Sequence, residues 1–421
     1  MRKTFIFLVF LSLFISACQS DTSIDDTEGT QQKVTLTIRN PKIEIASVFE
    51  EMTQVYEKEH PHVKIEVHTV GGALDDFSDL KAQMAAEDGP DIFTNLGYEN
   101  AKLWKPYLED LSDQPWVKNA YKETLEPIKM NGHVYGMTMN LEGYGFIYNK
   151  ELFKEAGIEQ LPTTLTELKT VTQQLEMAGI TPFATGYYEK WKLGDHLMNI
   201  AITQQEDPDH FIRELKDGTT SIENNDQFKQ LIELLDLTIE HGGEDPLSTD
   251  YTMELQRFTS GKAAMILQGN WIQPMIDKLS PDMKVGIFPI PINQQPEKNT
   301  LNIYTPGYWV INKQTSPEKK KEAKRFLNWI VSSEQGQKIM TEKLRFIPAF
   351  QHVDIQETDP LTSKIIHFYR ENRTLSSNWS DLPASVREEF GNDTQQYIKH
   401  GWSQTQLLKA YQKSWEHAQS K

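Results

Sequence analysis

A formal net charge of −17 over 421 residues denies this chain the basic footprint that nucleic-acid binding requires, while its length allows two or three domains with substantial cores. A single cysteine excludes a disulfide framework and any site built from several thiolates. The acidity itself reads as a solvated surface and leaves the class of small-molecule ligand open.

The N-terminus reads as an export signal. Arg2-Lys3 precede an apolar run from Phe5 to Ile15, broken only by Ser12, and small residues Ser16 and Ala17 lead to Cys18. The run is too short to span a bilayer as a helix, so residues 1–17 are not counted as fold. Ending on Cys18, the segment resembles a bacterial lipobox, which implies cleavage before Cys18 and lipid attachment to it. Residues 18–32 are polar and acidic, bury too little to fold, and form a flexible spacer.

Val34, Leu36 and Ile38 alternate with threonines and predict a strand. Ile45, Val48, Phe49, Met52, Val55 and Tyr56 follow at helical spacing up to His60-Pro61, and Val63, Ile65 and Val67 alternate again. Strand, helix, strand is a βαβ unit with a right-handed crossover. A helix on Phe77, Leu80 and Met84 and a strand at Asp91–Thr94 continue an open α/β sheet, which binds ligands beyond the carboxyl ends of its strands, here Arg39-Asn40 and Asn95 to Tyr98. Later strands are expected at Tyr144–Asn149, Ala263–Leu267, Val285–Phe288 and Trp309–Ile311. Thr164 to Glu167 predicts a capping box, Ser316-Pro317 a helix start, and Leu407, Leu408, Tyr411 and Trp415 a C-terminal helix.

Catalytic signatures are few. The Gly-x-Ser-x-Gly elbow, the His-Glu-x-x-His zinc motif and a phosphate-binding glycine loop are all missing. Ser316-x-x-Lys319 is better explained as a helix cap than as an acyl-enzyme motif, and His60, His62 and His68 as a polar corner than as a metal site. No pair of carboxylates stands out as a glycosidase couple.

Four blocks, in order and at family spacing, carry a resemblance: Gly89-Pro-Asp-Ile-Phe93; Asn131-Gly-His-Val-Tyr-Gly136 through Tyr144-Gly-Phe-Ile-Tyr-Asn149 to Pro162; Gly261-Lys-Ala-Ala-Met265 leading to Gly269-Asn270-Trp271; and Gly286-Ile-Phe-Pro-Ile-Pro291 on to Phe326-Leu327 and Ile347-Pro348. The chain resembles the extracellular solute-binding proteins of family 1, the carbohydrate-binding lipoproteins of ABC importers. The resemblance implies an α/β, two-lobed periplasmic-binding-protein-like fold of type II with a ligand cleft between the lobes. Crossings are then expected near residues 140–142, 304–307 and 344–347. Lobe I comprises 33–140 plus 305–345, and lobe II 141–304 plus 346–421.

The resemblance also places Glu142 where the family has an acid that accepts sugar hydroxyls, although an acid at a hinge can equally bond to backbone. Trp271 matches a Gly-x-Trp whose indole stacks on a sugar ring, as the apolar faces and polar rims of sugars require. Asn40 and Asn95 follow from their strand ends, and Tyr98, Tyr144, Tyr308, Trp309 and Trp379 are further aromatic candidates that a core also accommodates. Trp191 and Asp195 fall in a variable stretch without register. Thr94 and Asn95 stand where the maltose binder has an aromatic, so a short oligosaccharide or modified sugar is expected instead of a long one. The implied partners are a carbohydrate, two ABC permease subunits with a cytoplasmic ATPase, and the membrane through lipid at Cys18. No cofactor or metal is implied, and a monomer on the extracellular face of a Gram-positive membrane is expected. A charged solute, such as an amino-sugar adduct or polyamine, is the alternative on the same fold, and a lipoprotein glycoside hydrolase or an assembly lipoprotein the alternatives from other classes.

Overall fold

The computed structural model describes residues 33–70, 76–243, 245–355, 357, 359–376 and 382–419. The export signal, the spacer, Cys18 and Trp379 lie outside these residues. In chain order the first strands are β1 (Val34–Asn40), β2 (Val63–Thr69), β3 (Ile92–Asn95), a small hairpin of β4 (Lys129–Met130) and β5 (His133–Val134), and β6 (Met137–Thr138). Then come β7 (Glu142–Asn149), β8 (Phe183–Ala184), β9 (Met265–Gly269), β10 (Val285–Phe288), β11 (Leu301–Tyr304), β12 (Tyr308–Ile311) and β13 (Thr374–Ser376).

The first sheet has the order β2-β1-β3-β12-β6. β1 and β2 run parallel in register from Val34 opposite Val63 to Asn40 opposite Thr69. Their crossover is the helix Ala46–Glu59, which buries Phe49, Met52 and Tyr56 against the sheet. The inward residues Leu36 and Ile38 are fully buried, as the alternation predicts. β12 returns from far along the chain and lies antiparallel between β3 and β6.

The second sheet has the order β13-β11-β7-β9-β8, with β10 also pairing with β7. β7 is buried at nearly every position because strands flank it on both edges and helices cover its faces. Each sheet has its own hydrophobic core, and the C-terminal helix contributes Leu407, Leu408, Tyr411 and Trp415 to the second.

Three segments cross between the cores side by side. The Met139 N–H donates to the Gly307 carbonyl at 3.1 Å and the Leu141 N–H to the Ile347 carbonyl at 2.9 Å, so the crossings form a short hydrogen-bonded hinge. Phe346, Ala349, Phe350 and Val353 pack in the first core, past the boundary expected at residue 345, whereas Ile347 packs in the second. The third segment therefore weaves along the hinge before Leu361 enters the second core.

Strand alternation gives the hinge two faces. Glu142 pairs with Tyr304, and both side chains point to one face. Gly143 pairs with Ile303 on the other face, where a side chain on Gly143 would meet Ile365. That rear face borders a cavity of about 290 Å³ lined by both lobes, including Tyr98, Leu141, Ile303, Ile365 and Tyr369.

One local expectation needs adjustment. Thr164 caps its helix by accepting from the Glu167 N–H, but the Glu167 carboxylate reaches back to Thr163. The box closes one residue earlier than its motif suggests. Ser316 is a helix cap, and Lys319 is paired with Asp91. His60 stacks on Tyr56, and the described residues hold no group of three His, Cys, Asp or Glu side chains arranged for a metal.

Candidate functional site

The turn after β1 carries Lys42. Asn40 braces that turn, its amide oxygen accepting from the Lys42 N–H at 3.1 Å and its amide nitrogen donating to the Lys42 carbonyl and to Thr69. Lys42 extends across the lobes to Glu142 at 2.8 Å and also meets Glu44 at 3.0 Å. Glu142 is 1 % exposed and also accepts from Asn140 Nδ2 at 3.2 Å and Tyr304 Oη at 3.3 Å. Burial alone would lower the Lys42 ammonium, but Glu142 and Glu44 outweigh it and hold the group above its ordinary value.

Behind Glu142 stands a cluster of rings centred on His196. Its imidazole lies 5.0 Å from Tyr144 in a stacked arrangement, 5.2 Å from Trp271, 5.1 Å from Trp191 and 5.6 Å from Tyr304. A π-helical turn, Lys192–Leu197, supplies His196, and such turns reorient side chains that an α-helix would point elsewhere. Asp195 of the same turn pairs with Arg387 at 3.0 Å, fixing the turn to the helix Ala384–His400. Trp271 follows β9 in a tight turn, with its ring lying over Gly269, where a side chain would collide with the indole. Only glycine leaves room for that platform.

Two polar atoms of this region are buried without a hydrogen-bond partner among the described residues: the Tyr251 hydroxyl and the Asn140 amide oxygen. Tyr251 lies 6.2 Å from Trp191, and Asn140 sits on the hinge beside Glu142. Such orphaned groups are rare in folded proteins, and a ligand rich in hydroxyls would satisfy both. The arrangement offers stacking surfaces, acceptors and one cation at the junction of the lobes, which suits non-covalent capture of a polyhydroxylated ring.

Residues 40–337 match the family model of the bacterial extracellular solute-binding proteins. The chain belongs to that family. An uncharacterized ABC transporter extracellular-binding protein of Pyrococcus horikoshii is 28 % identical over 256 residues, 58 % of this chain and 57 % of that protein, so the match spans little more than half of that relative. The melibiose/raffinose/stachyose-binding protein MelE of Bacillus subtilis (strain 168) is 26 % identical over 340 residues, covering 78 % of this chain and 76 % of MelE. The solved structure of a chitin oligosaccharide binding protein superposes with a TM-score of 0.79 at 22 % identity, over 92 % of this chain and 100 % of that one. The fold of this solute-binding protein is thus the two-lobed one that its sequence implied.

The residues singled out in the sequence separate by place. Glu142, Trp271 and Tyr144 come together around Tyr304, and Asn40 stands one step away, through Lys42. Asn95 is fully buried and accepts from the Gly97 N–H at 2.8 Å, so it shapes its own turn. Tyr98 lines the rear cavity. Tyr308 donates to the Thr124 carbonyl and Trp309 stacks on Phe49, both within the first core. Lys42, Glu44, His196, Tyr251 and Tyr304 were missed. Two of them had a signal: Lys42 is two residues past a flagged strand end, and Tyr304 opens a flagged crossing.

Burial, with Lys192 and Lys42 nearby, pushes the His196 imidazole down to about 3. The neutral ring shares a 3.1 Å contact through Nε2 with Tyr304 Oη. Below pH 6.5 the unfolded chain takes up a proton that the folded chain refuses, so this contribution to stability is present above 6.5 and is lost as pH falls toward 3. Burial raises Asp195 and Glu254, which act in the opposite sense at lower pH, so His196 is best read between pH 6.5 and roughly 5. His196→Gln is expected to flatten the fall in melting temperature over that window; an unaltered slope would assign the acid sensitivity elsewhere.

Proposed function

We propose that the protein is a non-enzymatic receptor that binds a carbohydrate, a short oligosaccharide or modified sugar, and delivers it to an ABC importer with two permease subunits and a cytoplasmic ATPase. The observation that carries the reading is the ring cluster of Trp271, Trp191 and Tyr304 beside Glu142 and Lys42, with the unpartnered Tyr251 hydroxyl and Asn140 oxygen in the same region. The similarity to a melibiose/raffinose/stachyose-binding protein and to a chitin oligosaccharide binding protein supports the same class. A ligand touching both lobes is bound best by the closed form, which gives closure its driving force.

The chain acts as a monomer held to the outer face of a Gram-positive membrane by lipid at Cys18, and residues 19–32 let the lobes reach the permeases. No helix among the described residues is long and apolar enough to cross a membrane. A second reading is favoured by charge: two carboxylates, Glu142 and Glu44, face the single cation Lys42, so a cationic amino sugar or polyamine would also be accommodated.

The test is a thermal-shift panel on residues 33–421 with melibiose, raffinose, stachyose, chitin oligosaccharides, amino sugars and polyamines. One member should stabilise the protein by about 2.7 kcal/mol at a concentration near a hundred times its dissociation constant, and should be recovered chemically unchanged. Turnover would overturn the receptor reading, and a response to polyamines alone would select the charged alternative. In the full chain, Cys18→Ser should release the protein from the membrane fraction.

A further inference from the structure

Deep in the second lobe, four side chains form a relay that ends on the Trp271 indole. Lys192 of the π-helical turn pairs with Glu254 of the helix Tyr251–Thr259, with their side chains 3 % and 1 % exposed. Glu254 Oε1 also accepts from the Gly186 N–H at 3.1 Å, and its Oε2 accepts from Gln268 Nε2 at 2.8 Å. Gln268 Oε1 in turn accepts from Trp271 Nε1 at 3.0 Å. All four residues are buried, so no water competes for these bonds.

The polarity of this relay follows from chemistry alone. A carboxylate only accepts, so Gln268 must turn its NH₂ toward Glu254, and its carbonyl is then left facing Trp271. The indole N–H only donates and requires that carbonyl. A neutral amide at position 254 could present its own NH₂ to Gln268, and Gln268 would turn over and face the indole with a donor. Lys192 neutralises the carboxylate in place, since an isolated charge there would be costly. On its other side the ring rests over Gly269, so the relay fixes the remaining freedom of the indole.

We infer that Gln268, oriented by the buried Lys192–Glu254 pair, is the positioning residue that holds the Trp271 platform at the angle used for ligand stacking. This rests on the receptor reading above, and the test separates the two. The protein is labelled with ¹⁵N at its indoles, and the Trp271 resonance is identified by its disappearance in Trp271→Phe. Gln268→Met keeps the shape of the side chain and removes the relay; it should shift that resonance and speed exchange of its proton about tenfold, the equivalent of one lost hydrogen bond. The double variant Lys192→Met/Glu254→Gln removes both charges together and should move the same resonance, although Gln268 is intact. Affinity is measured with raffinose first and then with any other panel sugar that shifts the wild type, and both variants should weaken it about tenfold.

An unmoved Trp271 resonance in both variants would overturn the relay. A moved resonance with unchanged affinity would overturn its role in positioning the platform. A wild type that binds no panel sugar would sink the receptor reading, while the resonance would still decide whether the relay holds the indole.

Discussion

Glu142→Gln is expected to abolish the ligand-induced thermal shift, to lower the melting temperature of the unliganded protein, and to open the lobes. The side chain keeps its shape, but one of its two acceptors becomes a donor. Glu142 Oε1 serves Lys42 and Asn140, and Oε2 serves Tyr304, so an amide whose oxygen stays on Lys42 and Asn140 turns its NH₂ to Tyr304, whose hydroxyl must then accept instead of donate. Lys42, 14 % exposed, then keeps only Glu44 as a counter-charge. Removing one partner of a buried pair typically costs about 3–5 kcal/mol when the remaining charge is left without compensation, and the retained Glu44 places the loss here below that range. The pair spans the lobes, so its loss penalises the closed form more than the open one. Small-angle scattering of the unliganded variant should show a larger radius of gyration than the wild type. The triple variant Lys42→Met/Glu44→Gln/Glu142→Gln should recover part of the stability without recovering binding, since it removes the cation together with both of its carboxylates but not the need for an acceptor. Unchanged melting and scattering in Glu142→Gln would show that the ion pair takes no part in closure.

Local patterns made the first sheet legible, because its inner face repeats every second residue and its covering helix every three or four. Val34 to Ile38 and Phe49 to Tyr56 required nothing beyond that periodicity. The strand-end argument found Asn40 and missed Lys42, since it points to a loop and not to the side chain that the loop projects. Tyr308 and Trp309 were aromatic candidates that a core would accommodate equally well. They are core residues because β12 is inserted between β3 and β6, a pairing over long sequence distance that no local pattern records. His196 had no signal at all, for a π-helical turn shifts the helical register by one residue and breaks the periodicity by which such a residue would be read. Trp271 and Glu142 were accessible only through the family motifs, since burial and a hydrogen-bonded indole are equally compatible with a core tryptophan. The third crossing passes through Ile347, inside the stretch expected from the resemblance, but the return of Ala349, Phe350 and Val353 to the first core leaves no composition change by which its end could be read.

Gly194→Ala should damage both stability and binding although the residue lies in no motif. A Cβ at this position would stand 1.8 Å from the Arg387 carbonyl oxygen, 2.8 Å from its carbon and 3.2 Å from the Gly391 nitrogen. All three are backbone atoms, so no side-chain rotation relieves the clash. Gly391 answers from the other side, where a Cβ would approach the Lys190 carbonyl to 2.9 Å. The two glycines thus let the π-helical turn and the helix Ala384–His400 meet backbone to backbone. Forcing them apart would break the Asp195–Arg387 pair and move Lys192 and His196, which underlie the ring cluster. Overpacking of this kind typically costs about 1–3 kcal/mol, and an immovable contact belongs at the upper end. Denaturant melts should therefore show a lower midpoint, and calorimetric titration with whichever sugar binds the wild type should show weakened affinity in the fraction that still folds. Gly179→Ala is the matched control: its φ of +75° makes alanine unfavourable by about 1 kcal/mol, but no atom lies in the way and the cleft is not involved. If the two variants lose the same stability and both bind normally, the close approach at Gly194 does not position the site.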